Sequence, residues 1–473
     1  MSITDKSLYE HIDALDGKEY SALELTEAYL SEIKKKNEEI GAFLYFDEEL
    51  SLSLARAADK RLSEGAHSPL CGIPFAVKDN ICTRGMPTTA ASKILSGFIP
   101  PYDATVIELL KGDGAVILGK TNMDEFAMGS TTEGSAFRIT RNPIDTSLTP
   151  GGSSGGSAAA VSAGMAPFAL GSDTGGSVRQ PAAFCGCVGL CPTYGAVSRF
   201  GLIAFASSLD RIGPITKTCR DNAIVFSSIS KGDSFDATLK GSDFLKKSIK
   251  ADIRGLKIGI AEELFSDSID PEVKNAVLGA IEKLKSLGCT TVNVSLPSSK
   301  YAAPAYYIIS SAEASSNLAR YDGIRFGNKT KADCKAIEEM YKKTRSEGFG
   351  KEVKRRIMLG TFVLSEDSYE SYYKNACNVR SALREDFRNA FLDCDIIVSP
   401  AAPRTAYPLG SESDSVSLYM EDCLSAPASL AGLPSLSVPC GRSKKGLPIG
   451  MQITGPAFSE DLLFSAGIAF EEI

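Results

Sequence analysis

Two stretches concentrate serine and glycine in a pattern that suits catalysis: Gly151-Gly-Ser153-Ser-Gly-Gly-Ser157 and Asp173-Thr-Gly-Gly-Ser177-Val-Arg-Gln-Pro181. A linker or a phosphate cradle would use similar residues. Between them, Ala158 to Gly164 reads as a small-residue helix followed by a short strand, so the chain leaves one loop and returns with the other. A linker would lack these buried elements. Two glycine-rich loops at neighbouring sheet ends can bring hydroxyls together while leaving backbone N–H groups uncovered for a substrate.

A serine hydroxyl needs a base to become a nucleophile, and the usual base is histidine. The chain has two histidines. His11 falls in the first helical segment and His67 in a polar loop, and both read as ordinary surface residues. A buried lysine is the substitute, because removing an ammonium from water can lower its pKa by roughly 3–5 units. Lys78 follows the apolar run Gly72-Ile-Pro-Phe-Ala-Val77 and precedes Asp79-Asn80. A simple Lys78–Asp79 pair at a strand end is the competing reading.

Gly114-Ala-Val-Ile-Leu-Gly119-Lys120-Thr121 matches GxxxxGK[ST] letter for letter. A phosphate loop needs flexible residues after a strand, whereas Ala115 to Leu118 are the expected strand itself, so nucleotide binding is not expected here. The cluster Cys185-Gly-Cys187-Val-Gly-Leu-Cys191 lacks the paired spacing of a structural zinc site. Its cysteines read as small core thiols, and no metal is expected.

The loops require a rigid frame. Short β-rich runs at Ile73 to Val77, Ala115 to Leu118, Phe168 to Gly171, Leu256 to Ala261 and Ile396 to Val398 alternate with helical segments. That rhythm predicts an α/β protein with a largely buried sheet. Residues 1–65 read as mostly helical, with Ser21-Ala-Leu-Glu24 as a capping box. Residues 66–220 hold the serine-glycine motifs, about 271–390 form a helical cover, and 391–473 return to the core. No repeat or long linker divides them, so one compact domain is expected.

With 43% apolar residues the chain can fill a sizeable core. Its 51 basic and 58 acidic side chains give a charge of −7 with no basic block, which argues against a free-standing nucleic-acid binder. Met1-Ser-Ile-Thr-Asp does not resemble a secretory signal, and the twelve cysteines are scattered. Reduced thiols and a cytoplasmic location are expected. The apolar run Ala158 to Leu170 is too short and too interrupted to span a membrane.

Together, Gly72-Ile-Pro-Phe-Ala-Val-Lys78-Asp-Asn and the two serine-glycine stretches resemble the amidase signature family. The resemblance implies an α/β fold with a large mixed central β-sheet, helices on both faces and an elaborated helical layer. It implies a Ser-cis-Ser-Lys triad of Ser177 as nucleophile, Ser153 as bridge with a cis peptide, and Lys78 as base. Ser154 and Ser157 would support the loop, and Thr174, Gly175, Gly176 and Ser177 would supply oxyanion-hole amides.

Arg141 to Val161, Ser310 to Gly327, Glu352 to Phe362 and Ser425 to Gly441 further resemble the A-subunit branch, the glutaminases of tRNA-dependent amidotransferases. This resemblance runs from about Lys6 to the C-terminus. It implies a glutamine grip of Tyr306, Arg355 and Asp422, with Tyr307 and Arg356 as one-residue alternatives. Arg355 would meet the α-carboxylate and Asp422 the α-ammonium. Partner subunits B and C are implied, with ATP, magnesium and Glu-tRNA(Gln) handled mainly by B and no cofactor in this chain. The alternatives are a stand-alone amidase of small amides, a non-catalytic assembly protein, and a nucleotide-binding enzyme built on Gly114 to Thr121.

Overall fold

The computed structural model describes residues 2–65, 68–240, 249, 252–411 and 419–472. Its frame is an eleven-stranded mixed sheet. In chain order the strands are β1 (Phe43–Phe46), β2 (Pro74–Lys78), β3 (Val116–Thr121), β4 (Phe168–Asp173), β5 (Val188–Cys191), β6 (Arg211–Thr216), β7 (Lys257–Ala261), β8 (Thr290–Val294), β9 (Ile396–Pro400), β10 (Ser435–Arg442) and β11 (Pro448–Thr454). Across the sheet they run β1-β3-β2-β4-β6-β5-β10-β11-β9-β7-β8.

Every residue of β2, β3, β4, β6 and β9 is buried, so both faces of the sheet are covered there. This explains why β2, β3, β4 and β9 stand in the sequence as apolar runs rather than as alternating patterns. Strands β2 and β4 pair in parallel, Ala76 with Ala169 and Val77 with Leu170. That pairing sets the end of the lysine strand beside the end of the strand that precedes the second glycine loop.

A second hydrophobic cluster lies in the helical layer. Helix Ala302–Asn317 packs against helices Lys351–Val363, Asn375–Ala390 and Ala426–Ala431, and shares a core with Phe126 and Phe205 from loops beside the sheet. Thus the layer expected over residues 271–390 leans on the catalytic half of the molecule. It is not wholly helical: β8 interrupts it as an edge strand. Helix Pro271–Ser286 packs on β9, β10 and β11 instead.

The N-terminal segment also differs in detail from its mostly helical expectation, because β1 joins the sheet edge antiparallel to β3. Ser21 does form a capping box with Glu24, and its helix runs past Lys34, Lys35 and Lys36 to Ile40 and stops at Gly41, whose φ of +70° suits glycine. His11 is buried, not a surface residue. Its ring nitrogens lie 2.8 Å from the Tyr20 and Tyr29 hydroxyls, and burial brings its pKa down to about 3. It shares the inward face of its helix with Leu8 and Leu15, a spacing that carried the signal. His67 lies outside the described residues.

The nucleotide-like motif is a strand, with Gly119 and Lys120 inside β3. Lys120 donates to Ile81 O and Thr88 Oγ1 and lies 3.5 Å from Asp79. Cys185, Cys187 and Cys191 are buried. No helix among the described residues is long and apolar enough to cross a membrane.

Candidate active site

Side chains alternate along β2 and β3, and this separates two buried lysines. Val77 pairs with Lys120 and Lys78 with Thr121, so the lysines project from opposite faces. Asp79 goes with Lys120, which disposes of the simple Lys78–Asp79 pair. Lys78 is fully buried among serines: its Nζ lies 2.7 Å from Ser153 Oγ, 2.8 Å from Ser154 Oγ, 2.9 Å from Ser172 Oγ and 3.2 Å from Ser172 O. Burial lowers its pKa to about 7, against the opposing pull of Asp124, Asp173 and Asp210.

The first glycine loop presents Ser153 after a cis Gly152–Ser153 peptide. Gln180 Oε1 accepts from Gly152 N at 2.9 Å, and Ser154 N donates to Ser177 O at 3.0 Å, tying the two loops together. Asp124 is packed beside Gly152 and accepts from Thr132 N and Gly134 N at 2.9 and 3.1 Å. Helix Gly155–Ser162 starts immediately afterwards, ahead of the expected start at Ala158. Ser157 bonds to Thr121 and Leu170 and supports the loop, whereas Ser154 reaches Lys78 directly.

In the second loop Ser177 is 6% exposed, and its hydroxyl makes no hydrogen bond among the described residues. The expected oxyanion amides are not equivalent. Gly176 N–H is committed to Asp173 Oδ1 at 2.8 Å, so it is not free to receive an oxyanion here. The Gly175 and Ser177 amides have no acceptor among the described residues. The Thr174 hydroxyl donates to Asp210 at 2.7 Å. Gly175 must lack a side chain because a Cβ there would fall 2.7 Å from the Tyr306 hydroxyl.

Beyond the glycines, Tyr306 packs on this loop and against Tyr307, with ring centroids 5.0 Å apart. Tyr307 donates its hydroxyl to Asp422 Oδ2 at 2.7 Å. Burial raises the Asp422 pKa to about 7. Arg356 is sealed between rings, 4.3 Å from the Tyr307 centroid and 5.0 Å from that of Tyr419, and its Nε binds Glu352 at 2.6 Å. Arg355 also pairs with Glu352 and lies 5.0 Å from the Tyr419 ring, but keeps 37% of its side chain exposed. The fold therefore brings Tyr306, Arg355 and Asp422, the three residues expected to grip glutamine, and both one-residue alternatives into one neighbourhood.

Several residues of the site escaped the sequence reading. Asp173 and Arg179 form a fully buried ion pair at 2.9 Å, and both stood in the second motif. Ser172 and Asp124 also belong to the Lys78 surroundings, while Ser425 joins from the C-terminal part. A cavity of about 810 Å³ beside Glu262 and Asn293 contains none of these residues. The hydrogen-bonded geometry, not volume, locates the site.

Residues 24–464 match the Amidase family. The chain belongs to that family. It is 53% identical over 463 residues to the glutamyl-tRNA(Gln) amidotransferase A-subunit of Ligilactobacillus salivarius, covering 97% of this chain and 94% of that one. It is 50% identical over 476 residues to the protein of the same name from Caldanaerobacter subterraneus, covering 100% and 97%. The crystal structure of the Thermotoga maritima A-subunit matches with a TM-score of 0.83 and 41% identity, over 100% of this chain and 95% of that one. Native peptide amidase from Stenotrophomonas maltophilia matches with a TM-score of 0.81 and 29% identity, over 99% and 96%. Within the amidase family, the full-length matches place this chain in the A-subunit branch.

Proposed function

We propose that this chain is the glutamine-hydrolysing subunit of a tRNA-dependent amidotransferase, releasing glutamate and ammonia. The observation that carries the reading is a buried, charge-depleted Lys78 within hydrogen-bond reach of Ser153, in a loop tied to Ser177. Neutral Lys78 accepts a proton from Ser153 as Ser153 takes one from Ser177, whose oxygen attacks the side-chain carbonyl of glutamine. The tetrahedral oxyanion meets the Gly175 and Ser177 amides, each worth about 3 kcal/mol in comparable sites. On collapse the C–N bond breaks and the relayed proton goes to departing ammonia, leaving a γ-glutamyl ester on Ser177. Water then attacks that ester by the same relay and frees glutamate.

Asp422 receives the α-ammonium. Arg355, which retains solvent access beside Tyr419, receives the α-carboxylate after leaving Glu352. Arg356 is packed between rings and holds that wall together. Arg355→Ala is expected to raise KM for glutamine by about 10–100-fold, the value of one charge-assisted contact, with a smaller effect on kcat. Arg356→Ala should instead lower Tm. The reverse pattern in steady-state kinetics and thermal melts would move the carboxylate contact to Arg356.

The pH profile has a defined sign. Below about pH 7 Lys78 is protonated and cannot accept a proton, so kcat rises with pH through that value. In the free protein Asp422 also ionises near 7, so kcat/KM falls more steeply on the acid side than kcat does. Bound α-ammonium keeps Asp422 ionised and removes its limb from kcat. A kcat profile flat across neutral pH would remove Lys78 as the base.

The ammonia is passed to a B subunit that uses ATP and magnesium to amidate Glu-tRNA(Gln), with a C subunit that helps the complex assemble, all in the cytoplasm. The names of the full-length relatives support a multisubunit setting, and the −7 charge suits a chain that leaves tRNA to its partner. Ammonia release from glutamine, measured for the chain alone and with B, C, ATP and Glu-tRNA(Gln), tests the reading. Stimulation by the partners is expected; partner-independent turnover of simple amides with little use of glutamine would favour a stand-alone amidase.

A further inference from the structure

The Gly175–Gly176 peptide is held from both edges. Its N–H donates to Asp173 Oδ1 at 2.8 Å, and its carbonyl accepts from the hydroxyl of Ser425. The two anchors are themselves joined by Arg179. This side chain binds Asp173 through Nε and Nη2 at 3.0 and 2.9 Å, and the Ser425 carbonyl through Nη1 at 3.1 Å. Asp173 and Arg179 are fully buried and Ser425 is 1% exposed. A closed ring of hydrogen bonds thus surrounds one peptide in the loop that carries the nucleophile.

We propose that Ser425 is a positioning residue of the oxyanion loop: its hydroxyl fixes the plane of the Gly175–Gly176 peptide, keeping the flanking Gly175 and Ser177 N–H groups turned toward the reacting carbonyl. The assignment rests on the glutaminase reading above. Two adjacent glycines leave many backbone settings open, and Gly176 sits at φ +147°, where a side chain is disfavoured. The Asp173 bond alone would let the peptide rock about its N–H. A second bond on the opposite edge stops that motion. Preorganised donors stabilise an oxyanion only while they remain aimed, so a small rotation here acts on rate rather than on ground-state binding.

Ser425 also connects this peptide to the substrate grip. Ser425 N and Ala426 N both donate to Asp422 O, at 3.2 and 2.8 Å, forming one tight turn. Asp422 Oδ1 lies 3.4 Å from the position a Cβ on Gly176 would take. An α-ammonium held by Asp422 therefore bears on the turn that supplies the Ser425 hydroxyl.

The test uses the assembled complex with Ser425→Ala and Ser425→Cys, the latter near-isosteric but a weak donor. For Ser425→Ala, kcat for glutamine hydrolysis should fall about 10–100-fold, with KM unchanged and glutamate protecting as well as before. Labelling of Ser177 by a fluorophosphonate should slow comparably, because its P=O oxygen uses the same amides. Ser425→Cys should lie between. Wild-type kcat and labelling rate in both variants would overturn the proposal, as would parallel loss of substrate binding and Tm without a selective fall in kcat. If the alanine variant does not fold, the cysteine variant alone decides. Failure of the wild-type complex to hydrolyse glutamine or to be labelled at Ser177 would instead overturn the glutaminase reading.

Discussion

Ser177→Ala is expected to reduce glutamine hydrolysis by about 10⁵–10⁶-fold, the loss seen when a nucleophile acting as part of a unit is removed. Among the described residues, the neighbouring hydroxyls are already engaged. Ser153 and Ser154 are both bonded to Lys78, and Ser154 is further tied to Ser172 O at 3.1 Å. The substitution deletes one oxygen from a position 6% exposed and removes no hydrogen bond of that oxygen among the described residues. Folding, partner assembly and glutamate binding should therefore persist. Ammonia release measured beside a thermal melt checks this, and near-wild-type turnover in a folded variant would remove Ser177 as nucleophile.

Lys78→Ala is the second large effect, about 10⁴-fold in kcat, at the top of the range for a single acid–base group because the same amine serves both acylation and deacylation. A neutral amine has two N–H donors and one lone pair. With its lone pair turned to the Ser153 hydroxyl, the neutral amine keeps its two N–H groups for the three remaining oxygens, Ser154 Oγ, Ser172 Oγ and Ser172 O, so that one N–H is shared between two of them. Lys78→Arg should not restore activity, because a guanidinium stays charged and offers no lone pair. Activity of the alanine variant returning to wild type above neutral pH, or rescue by arginine, would contradict the base assignment. Labelling of Ser177 by a fluorophosphonate should fall in parallel.

The sequence was most informative where burial simplified it. Strands covered on both faces are read as apolar runs, and a lysine ending such a run stands out, which is why β2 and Lys78 were legible. The edge strands β1 and β8 were not, because their short, partly exposed runs resemble loop or helix termini. His11 reads as a surface residue by its polar type, whereas its position on the apolar face of its helix, with Leu8 and Leu15, buries it. The serine-glycine loops announced a site, but a row of glycines does not reveal which N–H is already taken; Asp173 decides that from three residues upstream. Tyr306, Arg355 and Asp422 came only from resemblance, and Ser425 had no local signal, since it meets Gly175 across 250 residues of chain.

The order of strands separates two kinds of inheritance. Lys78, Ser153 and Ser177 all lie within or beside β2 to β4, neighbours near one end of the sheet and contiguous in the first part of the chain. Tyr306, Arg355 and Asp422 arrive from later helices and turns that lean against this block. Apart from the Ser425 hydroxyl, the groups assigned here to bond cleavage and those assigned to gripping glutamine are therefore encoded in different stretches of the gene. On that assignment, mutations after residue 300 that spare Ser425 redirect the machinery to a new amide while the hydrolytic block is passed on intact, which gives such a scaffold an easy route to divergence.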